Sequence, residues 1–278
     1  MATGIDRTAL SEIACHYRSL GLKFRLRGLP YERCAELSWT VDYLKPRFDA
    51  PVRYLDIGTG ESPLPSFFAA HTAWNITCLD KCPWVRKQTQ FSKGLARKPM
   101  GVVEGDLLKP PLRAESFDVI TCISVIEHFE NNSDSMGMAA AARLLAPGGQ
   151  LILTTLVNDR FFAEFYVRRE VYGSPFADAP VFYQRHYDVN GLVERLVRPS
   201  GLLERQRVYF GDYDFQCFEK VLQQPRPVRA LYAWNTPGLA RRFLSYRSYP
   251  VSRKNMRMNT ASGVIIVLEK SRAAETLN

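Results

Sequence analysis

The run Tyr54-Leu55-Asp56-Ile57-Gly58-Thr59-Gly60-Glu61-Ser62 constrains the fold more than any other stretch of the chain. A short apolar segment carries one acid and ends in a Gly-x-Gly turn. Glycine has no Cβ and tolerates φ values closed to other residues, so backbone can pass close to a small charged cofactor there. The apolar run from Leu64 to Ala70 follows directly. Together they read as the strand, turn and helix that open an α/β sheet.

Strand and helix patterns alternate around this unit. Residues 6 to 50 read as helical, broken at Gly28-Leu29-Pro30, with Cys34, Leu37, Val41 and Leu44 spaced along one helix face. Strands are predicted over 52–57, 75–79, 101–104, 117–123 and 151–155, with helices over 64–70, 84–95 and 134–145. A further helix over 188–197 is stopped by Pro199 and Gly201, and strands over 202–210 and 263–268 follow. Strands alternating with helices imply a parallel, doubly wound sheet. Residues 156–187 are aromatic and charged without clean period, and about fifty residues separate the last two strands. A connection that long is uncommon in a compact domain and is usually functional.

Apolar residues make up 46% of the 278 residues, enough for a sizeable core. Six cysteines lie at 15, 34, 78, 82, 122 and 217, without Cys-x-x-Cys or zinc spacing, and fit reduced thiols in the cytoplasm. Residues 1–10 lack the apolar stretch of a signal peptide, and no run approaches the roughly 20 residues of a membrane span. The formal net charge of +9 makes an anionic partner plausible.

Five motifs in order carry a resemblance. They are Leu-Asp-Ile-Gly-Thr-Gly-Glu-Ser at 55–62, Cys-Leu-Asp-Lys at 78–81 and Glu-Gly-Asp-Leu at 104–107. Phe-Asp-Val-Ile-Thr-Cys-Ile-Ser-Val-Ile-Glu-His-Phe follows at 117–129, then Leu-Leu-Ala-Pro-Gly-Gly-Gln-Leu-Ile-Leu-Thr at 144–154. The chain resembles a class I methyltransferase that uses S-adenosylmethionine, of the small-molecule type. The resemblance implies an α/β, Rossmann-like, doubly wound sheet of seven strands with an antiparallel last strand and helices on both faces. Residues 1–50 would be an N-terminal helical extension or lid, and 51–278 the catalytic domain. Segments 156–187 and 211–262 would face the acceptor, the second being an insertion between strands six and seven. A nicotinamide enzyme fits less well, because Pro63 stands where the third glycine of its fingerprint belongs.

The same resemblance assigns the cofactor site. Gly58, Thr59 and Gly60 would pass under the methionine moiety, and Asp56 would hold the loop or meet the ammonium group. Asp80, with Lys81 beside it, would accept from the ribose hydroxyls, as acids do in related nucleotide folds. Asp106 would meet the adenine amino group, Leu107 would pack on the base, and Ile123 and Ser124 would flank the sulfonium. His128 and His186 are the candidate general bases, and Tyr183 and Arg185 would line the acceptor pocket. No metal is expected, since Ser124 replaces the first glutamate of the metal-binding relatives.

Residues 225–258 hold eight basic residues and no acid, interleaved with Tyr232, Trp234, Phe243, Tyr246 and Tyr249. Arginine forks suit phosphate and carboxylate. The expected acceptor is a small molecule or a carrier-linked, anionic one, with a peripheral membrane contact or an oligomer contact through this segment. Nucleic acid is disfavoured, because strand four lacks the Asn/Asp-Pro-Pro-aromatic run of enzymes that methylate exocyclic amines. The expected reaction is O-methylation in natural-product or surface-glycan biosynthesis. The stretch from Tyr183 to Asp188, with Pro199-Ser200-Gly201, resembles methyltransferases of those pathways. The alternatives are an RNA methyltransferase or an inactive fold that serves as a binding protein.

Overall fold

The structure, a computed structural model, describes residues 3–93, 99–158, 162–168, 171–172, 179–212, 217–222, 224–250 and 262–272. Its strands are β1 (Thr3–Gly4), β2 (Arg53–Ile57), β3 (Asn75–Asp80), β4 (Gly101–Glu104), β5 (Phe117–Ile123) and β6 (Leu145–Leu156). They continue with β7 (Ala163–Val167), β8 (Val181–His186), β9 (Leu203–Asp212), β10 (Leu244–Arg247) and β11 (Ser262–Glu269). The helices are α1 (Arg7–Ser19), α2 (Leu22–Arg27), α3 (Tyr31–Leu44), α4 (Leu64–His71), α5 (Gln88–Phe91) and α6 (Ser133–Leu144). Then α7 (Val189–Leu192) runs through a π-helical turn into α8 (Arg198–Ser200), and α9 (Cys217–Leu222), α10 (Arg226–Trp234) and α11 (Thr236–Phe243) lie in the long connection.

The main sheet has the order β1-β10-β9-β11-β6-β5-β2-β3-β4. Its seven central strands are those expected from the sequence. The five strands β6, β5, β2, β3 and β4 run parallel. β11 runs antiparallel between β6 and β9, pairing Ile265 with Thr154 and Val208. Two short strands, β1 and β10, add to the β9 edge and bring the sheet to nine. The central strands carry near-continuous apolar runs because both their faces are covered. β11, with Val264 to Leu268 wholly buried, is the clearest case.

One core packs α1, α3, α4 and α11 on one face of the sheet, through Ile13, Leu37, Leu44, Phe67, Phe68 and Tyr54. The other packs α6 and the helix after β8 on the opposite face, through Met138, Leu144, Leu192 and Leu196. The helices of residues 6–50 thus share a core with the sheet. Asp6 caps α1 by accepting from the Ala9 N–H at 2.7 Å.

Two sequence expectations change. The helix predicted over 84–95 is a 3₁₀ turn from Pro83 to Lys87 followed by the single turn α5, with 94–98 outside the described residues. Residues 156–187 contain an antiparallel hairpin, β7 with β8, which forms a separate two-stranded sheet.

Chain order reverses beside β2, where β3 and β4 lie on one side and β5 and β6 on the other. Ile57 pairs with Cys122 at the carboxyl ends of β2 and β5. Ligands of open α/β sheets bind in the crevice at such a point.

Candidate cofactor and acceptor site

The turn after β2 is tightly built. Gly58 and Gly60 both take left-handed φ, +64° and +49°. A Cβ on Gly58 would meet both Val125 methyls at 2.4 Å, so the turn after β2 is pressed onto the end of β5. The Gly58 N–H donates to the Leu79 carbonyl at 2.7 Å, tying the turn to β3. The Thr59 hydroxyl donates to the Asp56 carbonyl at 2.8 Å.

Asp80 stands at the tip of β3. Its carboxylate oxygens accept from the Gly60 N–H and the Cys82 N–H, each at 2.8 Å. The group is half-buried, and each oxygen keeps a lone pair for another donor. A fixed, partly open carboxylate beside a glycine turn fits a ribose diol and the charged end of an amino-acid moiety. Lys81 is exposed next to it.

The other residues expected at the cofactor site divide. Asp56 is buried within the sheet, where Thr121 donates to its carboxylate at 2.6 Å, so it stiffens the loop from below. Burial pushes its carboxyl up to about 7. Asp106 is exposed, and its carboxylate accepts from the Leu108 N–H at 2.9 Å in a local turn. Leu107 is buried beneath Gly137 of α6 and has little surface left for a base. Ile123 ends β5 half-buried.

Ser124, just past β5, takes φ +49°, a sparsely populated conformation for a residue with a side chain. Its N–H donates to the Thr154 carbonyl at 3.1 Å, and its hydroxyl donates to Glu36 at 2.6 Å. Thr154 also donates to Glu36, at 2.8 Å. Glu36 is buried and forms an ion pair with Arg33. Nearby, Glu127 is buried and accepts from Thr155 at 3.1 Å. Burial pushes the Glu127 carboxyl up to about 7, with Arg33 opposing and Glu36 reinforcing the shift. Helix α3 therefore delivers a charged pair to the carboxyl ends of β5 and β6.

His128 is the candidate base with a defined reactive atom. Its Nδ1–H donates to the Tyr183 carbonyl at 2.6 Å. The neutral ring then leaves Nε2 as an acceptor, met by the Tyr172 hydroxyl at 2.9 Å. Burial lowers its pKa to about 4, so the ring is neutral at neutral pH. Tyr172 stacks parallel to Tyr183 at 6.3 Å, and its carbonyl receives the Cys82 thiol at 3.5 Å. Tyr172 thus links the cofactor strand tip to His128.

His186 and Arg185 depart from the sequence reading. His186 is buried against Phe165 at 4.7 Å and accepts from Gln184 at 3.1 Å, enclosed away from any open pocket. Arg185 is wholly buried in ion pairs with Asp134 at 2.6 Å and Glu164 at 3.0 Å. Asp134 also accepts from Tyr187 at 3.0 Å and from Arg195 at 2.8 Å. These groups pin the hairpin to α6. The charge of Arg185 is consumed internally, so it is not available to an acceptor.

Residues 55–153 match a family described as a methyltransferase domain. Over that stretch the chain is similar to a methyltransferase domain. Ubiquinone biosynthesis O-methyltransferase of Dechloromonas aromatica is 31% identical over 119 residues, 37% of this chain and 44% of that protein. The chain thus spans less than half the length of that relative. An S-adenosylmethionine-dependent methyltransferase from Methanosarcina mazei superposes on 83% of this chain and 97% of its own, with TM-score 0.50 and 14% identity. The [4+2]-cyclase SpnF superposes on 86% and 84%, with TM-score 0.50 and 18% identity. At such identities the likeness is one of fold.

The methyltransferase domain match ends at residue 153, so Tyr172, Tyr183 and the hairpin lie beyond it, and Glu36 lies before it. Glu36, Arg33 and Tyr172 are the site residues that sequence reasoning missed. One signal existed for the first two: an Arg and a Glu spaced i, i+3 within a helix whose neighbours Cys34, Leu37 and Val41 are apolar.

Proposed function

We propose that this chain transfers a methyl group from S-adenosylmethionine to an oxygen of a small-molecule or carrier-linked acceptor. The carrying observation is the Asp80 carboxylate, fixed by the Gly60 and Cys82 N–H groups at the topological switch point. When bound, the cofactor supplies a methyl already activated on a sulfonium. The chain's task is then to orient the acceptor and to receive its proton. Positioning alone can account for about 7–11 kcal/mol of such a barrier.

His128 Nε2 is the proton acceptor, and an acceptor hydroxyl would take the place now held by the Tyr172 hydroxyl. Arg33 and Lys81 are the charges that act on the ring, and Tyr183 holds its orientation through the backbone carbonyl. Oxygen is favoured as the methylated atom by the name of the curated relatives. Natural-product or surface-glycan biosynthesis is the setting favoured by the sequence after residue 156. An anionic acceptor suits the basic 225–258 segment.

Calorimetric titration of S-adenosylmethionine and S-adenosylhomocysteine tests this reading. Wild type is expected to bind both in the micromolar range, and Asp80→Ala is expected to lose binding. Failure of wild type to bind either would overturn it and favour a binding protein on a methyltransferase fold.

A further inference from the structure

We infer that α2 and α10 together form a docking surface for an anionic lipid bilayer. The two helices come from opposite ends of the chain and meet at Trp234. The Trp234 indole N–H donates to the Arg25 carbonyl at 3.1 Å. The Arg18 guanidinium donates to the Trp234 carbonyl at 2.8 Å and lies over its ring at 5.7 Å. The polar edge of the indole is thereby satisfied within the protein, while the side chain remains 58% exposed.

The same two helices carry the most exposed large apolar side chains of the described residues. Leu22 and Leu26, an i, i+4 pair on α2, are 70% and 66% exposed, and Leu231 on α10 is 73% exposed. Phe24, between the two leucines, is buried against Tyr17 and Phe91, so α2 has separate inner and outer faces. Arg25 and Arg27 flank the outer leucines and are exposed. The helices α2, α10 and α11 hold seven basic residues and no acid.

One residue past Trp234 a cavity of about 500 Å³ begins, lined by Asn235, Arg7, Arg241 and Arg242. None of these three arginines has a carboxylate partner among the described residues. Apolar side chains ringed by basic ones complement a bilayer with anionic headgroups, and the cavity suits a headgroup phosphate. Among the described residues no helix is long and apolar enough to cross a membrane, so the contact is peripheral. α2 also holds the cofactor turn through Lys23 and Glu61 at 2.6 Å, which puts the docking surface beside the site. The inference stands independently of the reaction proposed above.

Flotation with vesicles of phosphatidylcholine alone, and of phosphatidylcholine mixed with phosphatidylglycerol, tests it. Binding is expected to the mixed vesicles and to weaken with added salt. Leu26→Asp/Leu231→Asp should abolish binding. Arg241→Ala/Arg242→Ala should weaken it about fivefold per arginine. Calorimetry with S-adenosylmethionine and thermal melting check that the variants remain folded, and Leu22→Ser/Leu231→Ser is a milder pair if the aspartates perturb the fold. Absence of binding to mixed vesicles, or equal binding to both kinds, would overturn the inference. So would a dimer in sedimentation velocity that the Leu26→Asp/Leu231→Asp pair dissolves, which would make the patch an interface between copies.

Discussion

Gly58 is strained for any other residue twice over, by its φ of +64° and by Val125 at 2.4 Å from a Cβ. Gly58→Ala is expected to lose about 1–3 kcal/mol of stability and most cofactor affinity. Adding Val125→Ala should recover part of the steric share, since the Cβ at 3.0 Å remains, and leave the φ share, as read by denaturant unfolding. Equal midpoints for wild type and Gly58→Ala would contradict this. At His128 the defined Nε2 lone pair makes a second expectation. His128→Ala should lower single-turnover methyl transfer by roughly 10²–10⁴, the usual worth of a positioned base, while cofactor titration stays unchanged. If transfer is unchanged, the ring only shapes the pocket. Gly58, Gly60 and Asp80 were legible in the sequence because strand, turn and acid act locally. Glu36 was not, because its partners Ser124 and Thr154 lie 88 and 118 residues away and only tertiary packing brings them together.

The β7–β8 hairpin is held to α6 by Asp134, wholly buried beneath Arg185 and Arg195. Removing one member of a buried pair leaves the other charge unmatched. Asp134→Ala should therefore cost about 3–5 kcal/mol, whereas replacing the whole triad, Asp134→Leu/Arg185→Met/Arg195→Met, should cost less. Urea unfolding distinguishes the two, and equal losses would mean that packing, not charge, fixes the hairpin. The hairpin was only half legible. In β7, Ala163, Phe165 and Val167 are half-buried and alternate with exposed Glu164 and Tyr166, a period of two that a register shift after Phe165 and the aromatic composition obscure. Arg185 was expected to line the acceptor pocket because its carboxylate partner Asp134, on a helix earlier in the chain, is not visible as a partner in the sequence. By contrast β4 and β5 were predicted to their ends, since each is a short apolar run bounded by turn and acidic residues.

The molecule as a whole carries buried acids whose protons are retained in the fold. Glu127 holds its proton up to about 7, against 4.5 for an ordinary glutamate. Unfolding releases that proton between these values, so this contribution is complete below 4.5 and is lost as pH rises through about 7. Wild type should lose stability relative to Glu127→Gln across this window, by on the order of 3 kcal/mol. Parallel melting curves for the two proteins over the window would sink the expectation. The seven-stranded centre of the sheet was legible because five motifs and the β-branched run of β11 stand in fixed order. The two added edge strands were not, since β1 and β10 are too short to leave a period. Their pairing has a consequence for assembly. Thr3 meets Tyr246 and Gly4 meets Ser245, so this edge is sealed by a contact that closes nearly the entire chain into one loop. Such non-local pairing forms late, because the entropy of loop closure precedes its reward. Until then β10 presents open backbone to other chains. A protein shortened by its first five residues should keep the glycine turn and Asp80 yet scatter more light on refolding, since an unsealed strand is a template for self-association.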